Sequence, residues 1–232
     1  MTGAAPAQFL AALRMVEAQR RLMYTSASVR DICMDVGYSS IGTFTSRFTY
    51  LVGVPPGQFR RASRLYSEHS CERALVSLRD VLPAPARRQV VCRIDGELRD
   101  TVAAVGLFSS GIPQGPIYSC GVVGVPGIAS LGDLPDGEYH LRAISFDPSV
   151  TVAGSLSKET MDFCYVGASR TPVKIVGGVA VAGSPARMYL RSRRYIDPPL
   201  VLALPLVMES ELERSCSPSS EFANYTKEWQ WS

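Results

Sequence analysis

The stretch from residue 28 to residue 48, SVRDICMDVGYSSIGTFTSRF, constrains the fold of this chain more than any other feature. Its apolar residues recur at intervals of three and four on both sides of Gly37, which is typical of two short amphipathic helices. Helices this short gain most of their stability from tertiary packing, so the two have to share a small core. That core would hold their outward faces in one fixed relation to each other.

Local signals predict the limits of both helices. Ser28, with Asp31 three residues later, resembles a capping box that starts the first helix, and Gly37 ends that helix. Ser39 or Ser40 caps the second helix. The residues of this second helix that are predicted to face inward are Ile41, Phe44, Phe48 and Leu51. Two helices joined by a glycine turn are the arrangement of a helix-turn-helix, whose second helix can lie in the major groove of DNA.

Two further helices are predicted around this pair. One runs from Pro6 to Met23, because apolar residues recur there near the 3.6-residue period and proline is tolerated in a first helical turn. The other begins in the segment PGQFRRASRL and adds Phe59 to the core. The chain up to about residue 64 is therefore predicted to be all-α.

From about residue 89 onward the pattern changes to short β-rich runs separated by Gly, Pro, Asp and Ser. The clearest is LPDGEYHLRAISF, in which a Pro-Asp-Gly turn leads into an alternating run from Tyr139 to Phe146. Seven to nine such strands without intervening helices favour an antiparallel sandwich or barrel. The predicted fold class is α+β in two domains, an all-α helix-turn-helix unit followed by an all-β antiparallel sandwich.

These patterns divide the chain into four segments. Residues 1–64 are predicted to be a partial helix-turn-helix DNA-binding domain, and residues 65–88 a linker that holds one short helix and ends in a proline-stiffened stretch. Residues 89–213 are predicted to form the sandwich. The polar residues 214–232 are predicted to be a tail.

The net charge is distributed unevenly. Residues 1–93 hold 13 arginines, no lysine and 6 acidic residues, whereas residues 94–232 hold 11 basic and 15 acidic residues. The formal charges are therefore +7 and −4, which sum to the +3 of the whole chain. A positive field on the first segment suits a polyanion such as nucleic acid. Ordinary solvated arginines on helix surfaces are the alternative interpretation.

Several classes of protein are disfavoured by what the sequence lacks. The longest apolar run, LVLALPLV at residues 200–207, is too short to span a membrane and is predicted to be a buried strand. The N-terminus shows no secretory signal and the six cysteines form no CxxC pair, so we expect a cytoplasmic protein with reduced, mostly buried thiols. No nucleophile elbow, phosphate loop or metal-ligand cluster is visible, so we expect no enzyme activity, no cofactor and no metal.

Three segments, FLAALRMVEAQRRL, SVRDICMDVGYSSIGTFTSRF and VGVPPGQFRR, resemble the second half of the DNA-binding domain of AraC/XylS transcription regulators. In that family an alanine-rich and arginine-rich helix is followed by a helix-turn-helix. The resemblance covers residues 1–61, about a quarter of the chain. It is carried, in this order, by Ala18, Arg20, Leu22, Val29, Ile32, Gly37, Tyr38, Phe44, Arg47, Phe48, Gly53, Pro55 or Pro56, Phe59 and Arg60.

The second helix, at about residues 40–52, is the predicted recognition helix. Its outward residues are small and hydroxylated apart from one arginine, so this face can approach base edges closely. They are Ser40, Gly42, Thr43, Thr45, Ser46 and Arg47. The resemblance implies that the positions nearest the bases are Ile41, Gly42, Thr43 and Ser46. Arg60 and Arg61 are candidate phosphate clamps, and the alternative for each of these residues is an ordinary solvent-facing side chain.

The sequence departs from the family pattern in two ways. Family members normally carry two helix-turn-helix units, whereas this sequence starts within what resembles the end of the first unit, so either the true start lies upstream or one unit suffices. The family commonly has Arg at the position of Ser46 and a variable residue at that of Arg47. Which of these two side chains meets a base edge therefore stays open.

The resemblance implies a DNA-binding transcription regulator of the AraC type. Its partner would be double-stranded DNA, and its β domain would sense a small-molecule effector or form a homodimer, since one reading helix covers few base pairs. The alternative is a ligand- or protein-binding β-sandwich module with a non-functional helix-turn-helix remnant. Two stretches, IPQGPIYSC and LPDGEYHLRA, resemble transthyretin-like or carboxypeptidase-regulatory sandwiches and imply no particular ligand.

Overall fold

The computed structural model describes residues 5–82, 84–157, 163–181 and 186–201. Its N-terminal part is helical, as predicted. The helices of the described residues are Pro6–Tyr24 (α1), Val29–Asp35 (α2), Ile41–Val52 (α3), Pro56–Tyr66 (α4) and Cys71–Val81 (α5). Helix α1 packs against α2, α3 and α4, and its buried residues recur at the predicted helical spacing.

Nine strands within the described residues form a single sheet. They are Arg88–Gly96 (β1), Thr101–Phe108 (β2), Ser119–Val125 (β3), Gly127–Gly132 (β4), Gly137–Phe146 (β5), Cys164–Ala168 (β6), Val173–Val176 (β7), Val179–Val181 (β8) and Ala186–Ser192 (β9). The hydrogen-bonded order is β3-β2-β5-β6-β9-β1-β4, and the β7–β8 hairpin pairs with the start of β5. Strands β3 and β4 lie at opposite ends of this order but are separated in the chain by Pro126 alone, so the sheet is nearly barrel-shaped.

The expectation of an all-antiparallel sheet is wrong at one pair of strands. Strands β1 and β9 run parallel, with Ile94 opposite Met188 and Gly96 opposite Leu190. A parallel pair needs a long crossover connection, which here consists of β2 to β8 and is not encoded by any local turn signal. The sandwich and the transthyretin-like form are not confirmed, because the single sheet curves toward closure.

The two faces of the sheet belong to two different cores. The inner face is apolar and buries, among others, Ile94, Val105, Leu107 and Leu141. The outer face contributes Val102, Ile144 and Phe146 to the same core as the helices. The helices therefore lie against the outside of the barrel through one continuous apolar cluster.

The predicted linker, residues 65–88, contains α5, which packs on β2 and β3. The Cys71 amide donates to the Val150 carbonyl at 2.9 Å, and the Val152 amide donates to the His69 carbonyl at 2.8 Å. These bonds tie the segment between α4 and α5 to the chain that follows β5. The limits of the two domains stay a prediction.

None of the described helices is long and apolar enough to cross a membrane. Most of the predicted strand at 200–207 and the whole predicted tail at 214–232 lie outside the described residues. The described cysteines are mostly buried, as predicted. Burial raises the pKa of Cys71 to about 12 and that of Cys92 to about 11, so these thiols stay protonated at neutral pH.

Candidate nucleic-acid interface

A capping box begins the first helix of the helix-turn-helix, as predicted. The Ser28 Oγ accepts a hydrogen bond from the Asp31 amide at 3.1 Å, and the Ser28 amide donates to the Asp31 carboxylate at 3.3 Å. A cap of this kind stabilises a helix by about 1 kcal/mol. It offsets the weak intrinsic stability of α2, which has only seven residues.

Gly37 forms the turn between α2 and α3. Its φ of +85° lies in the left-handed region, and its amide donates to the Met34 carbonyl at 2.9 Å. A Cβ at this position would lie 3.3 Å from the guanidinium of Arg14, which itself donates to the Gly37 carbonyl at 3.4 Å. Backbone conformation and available space therefore both favour glycine here.

A chain of aromatic rings fixes the orientation of α3. The ring centroids of Tyr38 and Phe44 lie 5.5 Å apart, and those of Phe48 lie 5.7 Å from both Phe44 and Phe59. The three phenylalanines are completely buried. Because these rings belong to α3, to α4 and to the turn before α3, the outward face of α3 is held rigidly relative to the rest of the unit.

The predicted DNA-facing residues form one surface at the start of α3, which we call the α3 ridge. Its exposed residues are Ser40, Ile41, Gly42, Thr43, Ser46 and Arg47, and Thr45 is half-buried. The Ser40 Oγ accepts from the Thr43 amide at 3.4 Å, so Ser40 is the N-cap. A Cβ on Gly42 would meet only the Ser40 hydroxyl, at 3.8 Å, so the space above this glycine is open.

Ile41 and Arg47 differ from the small and hydroxylated residues that make up the rest of the ridge. Ile41 is 47% exposed, so its predicted place in the core is wrong. It is the first residue of α3 and projects beyond the aromatic cluster, while Phe44 in the next turn is covered completely. Arg47 is exposed and makes no hydrogen bond or ion pair with any described residue, so its guanidinium is available to a ligand.

The two candidate phosphate clamps are placed differently. Arg60 is half-buried, and its Nη2 donates to the Ala27 carbonyl in the connection between α1 and α2. Burial, and then the charge of Arg64, lower the pKa of Arg60. Arg60 therefore supports the fold by holding this connection, whereas Arg61 lies exposed on the surface. A phosphate contact by either residue stays a prediction.

Arg30 is an exposed arginine outside the set of DNA-facing residues predicted from the sequence. It lies in the first turn of α2 and forms no hydrogen bond or ion pair with the described residues. In helix-turn-helix proteins the first helix crosses the DNA backbone, so an arginine at this place suits a phosphate contact. The helical period of α2, which turns Ile32 and Cys33 inward, was the signal that could have identified it.

The C-terminal end of α3 is held by the loop between β2 and β3. The Gly115 amide donates to the Leu51 carbonyl at 2.9 Å, and a Cβ on Gly115 would lie 3.6 Å from the Tyr50 ring. Ile112 of the same loop is completely buried in the core that the helices share. The sheet thus contacts one end of α3 and leaves the α3 ridge, at the other end, uncovered.

Comparisons with known proteins agree with this geometry. Residues 1–62 match a protein family described as a helix-turn-helix domain. This match confirms the resemblance of the segment to the AraC-type unit. Over 67 residues, or 29% of its length, the chain is 34% identical to YobQ, an uncharacterized HTH-type transcriptional regulator of Bacillus subtilis strain 168. The match spans 27% of that relative, about a quarter of its length. No solved structure matches the chain.

Proposed function

We propose that this protein is a transcription regulator of the AraC type that binds double-stranded DNA through the α3 ridge. The single observation that carries the proposal is the exposure of this ridge at the end of α3 that the sheet leaves uncovered. The helix-turn-helix match and the charge of +7 on residues 1–93 support the same partner.

The chemistry of the ridge suits a groove floor. Thr43 offers a methyl group that can contact a thymine methyl, and the Thr43 and Ser46 hydroxyls can bond base edges or phosphates. Arg47 can pair with guanine in bidentate fashion or with a phosphate. Gly42 lets the helix backbone approach the bases without a side chain in between. The N-terminal end of α3 also carries a partial positive charge that favours nearby phosphates.

The role proposed for the β domain is dimerisation and effector sensing. One helix-turn-helix unit contacts only a few base pairs, so a second subunit would raise the effective concentration of the second reading helix. The β7–β8 hairpin supports such an interface, because Val176, Val179 and Val181 are 50%, 65% and 50% exposed. Sedimentation at micromolar concentration is expected to show a dimer, and a monomer that still binds one site tightly would contradict this part.

The proposal is tested by selecting a preferred site from random duplexes and titrating binding with salt. We expect a preferred site and an affinity that falls steeply with salt, with a logarithmic slope of roughly −0.9 per phosphate contacted. The Gly42→Glu variant is expected to weaken binding by about a hundredfold or more, because a like-charge juxtaposition costs several kcal/mol. The fold should tolerate this change, since glutamate suits the first turn of a helix and the space is open.

The matched control is Gly124→Glu, which adds the same charge at an exposed position of β3 where a Cβ would meet no atom within 4 Å. This variant is expected to bind the selected site like the wild type. If the wild-type protein shows neither a preferred site nor a salt-dependent affinity, the helix-turn-helix is a remnant and the alternative function, a binding module, is correct.

A further inference from the structure

The outer face of the sheet carries a cleft of about 840 Å³ that the DNA-binding role does not use. Its floor is formed by neighbouring strands β5, β6 and β9, and its walls by Pro113 of the β2–β3 loop and by Pro198 and Leu200. We call it the arginine cleft, because its lining includes Arg142, Arg170, Arg187 and Arg191. A volume of this size is that of a small-molecule site.

Strand pairing brings these arginines together. Arg142 of β5 lies opposite Ala168 of β6, and Arg191 of β9 lies opposite Val166 of β6, so the two arginines flank the same strand. The alternation along β9 leaves Arg187 exposed while Met188 is buried inside the barrel. The strand register therefore brings Arg142 together with Arg187 and Arg191, which lie in a strand distant from it in the sequence.

The net charge of the cleft is opposite in sign to the net charge of residues 94–232, which form it. Residues 94–232 have a formal charge of −4, yet the cleft collects four of their 11 basic residues and only two acidic ones, Asp95 and Asp197. Asp197 is committed to Arg191, whose Nη1 and Nη2 donate to its two carboxylate oxygens at 2.8 and 2.6 Å. The cleft thus keeps a net positive charge with one arginine pre-oriented by its partner.

Each of the three remaining arginines has at least one donor available to a ligand. Arg170 and Arg187 are exposed and form no hydrogen bond or ion pair with the described residues. Arg142 is half-buried, and its Nε is buried without a hydrogen-bond partner among those residues. Burial lowers the pKa of Arg142, and an anion beside it would offset that desolvation cost.

We propose that the arginine cleft binds a small organic anion, a carboxylate or phosphate ester on an apolar body, and that this anion is the effector of the proposed regulator. The arginines match the fork geometry of carboxylates and phosphates, and Val166 and Leu200 in the lining match an apolar body. The binding site stands on its own geometry, while the effector role rests on the proposed function.

The effector role follows from a short chain of contacts between the cleft and α3. The Nη2 of Arg142 donates to the Gly111 carbonyl at 2.7 Å, in the loop between β2 and β3. Four residues further along the same loop, the Gly115 amide donates to the Leu51 carbonyl at the end of α3. An anion that draws Arg142 toward itself competes with the Gly111 carbonyl and so alters the support of α3.

Titration calorimetry of the DNA-free protein with phenyl phosphate tests the site. We expect saturable binding that is tighter than that of inorganic phosphate and that falls about tenfold or more in the double variant Arg170→Gln/Arg187→Gln, since two charge-assisted contacts are lost. The control double variant Arg88→Gln/Arg99→Gln removes the same charge from exposed positions outside the cleft lining and should bind like the wild type. Absence of saturable binding, or equal loss in both double variants, would overturn the site.

A second measurement tests the effector role separately. The affinity for the selected DNA site is measured with and without saturating phenyl phosphate, and we expect a change of about fivefold or more that the Arg170→Gln/Arg187→Gln variant does not show. Phenyl phosphate that binds in the cleft but leaves DNA affinity unchanged would overturn the effector role. A protein that binds phenyl phosphate but selects no DNA site would refute the proposed function and leave the anion site standing.

Discussion

Two surfaces of this protein carry available arginines, and they differ in shape. The α3 ridge is convex and presents Arg47 among small hydroxylated side chains, whereas the arginine cleft is concave and gathers four arginines around an apolar floor. A convex ridge fits the groove of a long polyanion, and a cleft surrounds a small anion. Positive charge therefore indicates that a partner is anionic, while the shape of the surface indicates how large that partner is.

The two surfaces depend on the two cores to different degrees. The ridge depends on Phe44, Phe48 and Phe59 of the helical core alone, whereas the cleft lies on the barrel, between the inner core around Leu141 and the outer side, where Val166 and Leu200 pack on the helical core. Substitutions in one core should therefore damage one surface more than the other. Phe48→Ala should have the largest effect on the ridge, and changes at Gly37 and Glu17 should have progressively smaller ones.

The largest effect is expected for Phe48→Ala. Phe48 is completely buried and contacts two other rings, so its truncation should lower the free energy of unfolding by about 3–5 kcal/mol and abolish DNA binding. Urea unfolding followed by circular dichroism measures the first effect. Leu141→Ala, in the barrel core, should instead weaken phenyl phosphate binding more than DNA binding. Equal effects of both variants on both ligands would show that the two surfaces are not supported separately.

A smaller effect is expected for Gly37→Ala. The φ of +85° costs a residue with a Cβ about 1–2 kcal/mol, and the added methyl would press on the Arg14 guanidinium. Gly57→Ala is the control, because this glycine lies in α4 with no atom within 4 Å of a Cβ and should be neutral or stabilising. A Gly37→Ala protein as stable as the control would contradict the role given to this turn.

The smallest effect is expected for Glu17→Gln. Hydrogen bonds from Arg20, and also from Arg21, lower the pKa of Glu17 to about 2 from its usual 4.5, against the raising effect of burial. The stabilisation is therefore full above about pH 4.5 and is lost as the pH falls toward 2. Because the side chain is 33% exposed, we expect less than about 1 kcal/mol at pH 7.

Urea unfolding of the wild type and Glu17→Gln at pH 7 and at pH 3 checks this prediction. The difference between their free energies of unfolding should be smaller at pH 3. A difference that stays constant, or that grows as the pH falls, would show that the carboxylate does not stabilise α1 through its arginine partners.

The α3 ridge could be predicted from the sequence because every determinant of it is local. Ser28 with Asp31, Gly37 and the spacing of Phe44 and Phe48 each act within one or two helical turns. Ile41 was the exception, because periodicity assigns a face but does not show where the covering core ends. The exposed surface at the start of α3 thus agrees with the sequence pattern except at Ile41 and Thr45, and its contact with DNA stays a prediction.

The arginine cleft could not be predicted in the same way. Arg142 and Arg191 flank the same strand only because β6 pairs with both β5 and β9, and the parallel pairing of β9 with β1 has no local signal. The alternating pattern predicted strands and their two faces, but not which strands are neighbours. A site that depends on long-range register becomes visible only in the folded chain.

The most direct test of the central claim compares base discrimination by the wild type and by Arg47→Ala. Affinities are measured for the selected site and for each of its single-base variants at one salt concentration. If the α3 ridge reads base edges, the wild type should lose about 1–3 kcal/mol at one or more positions, and the variant should lose that discrimination at the position Arg47 contacts. A variant that discriminates as the wild type does would contradict base reading by Arg47, and a wild type that discriminates at no position would contradict the proposed docking of α3.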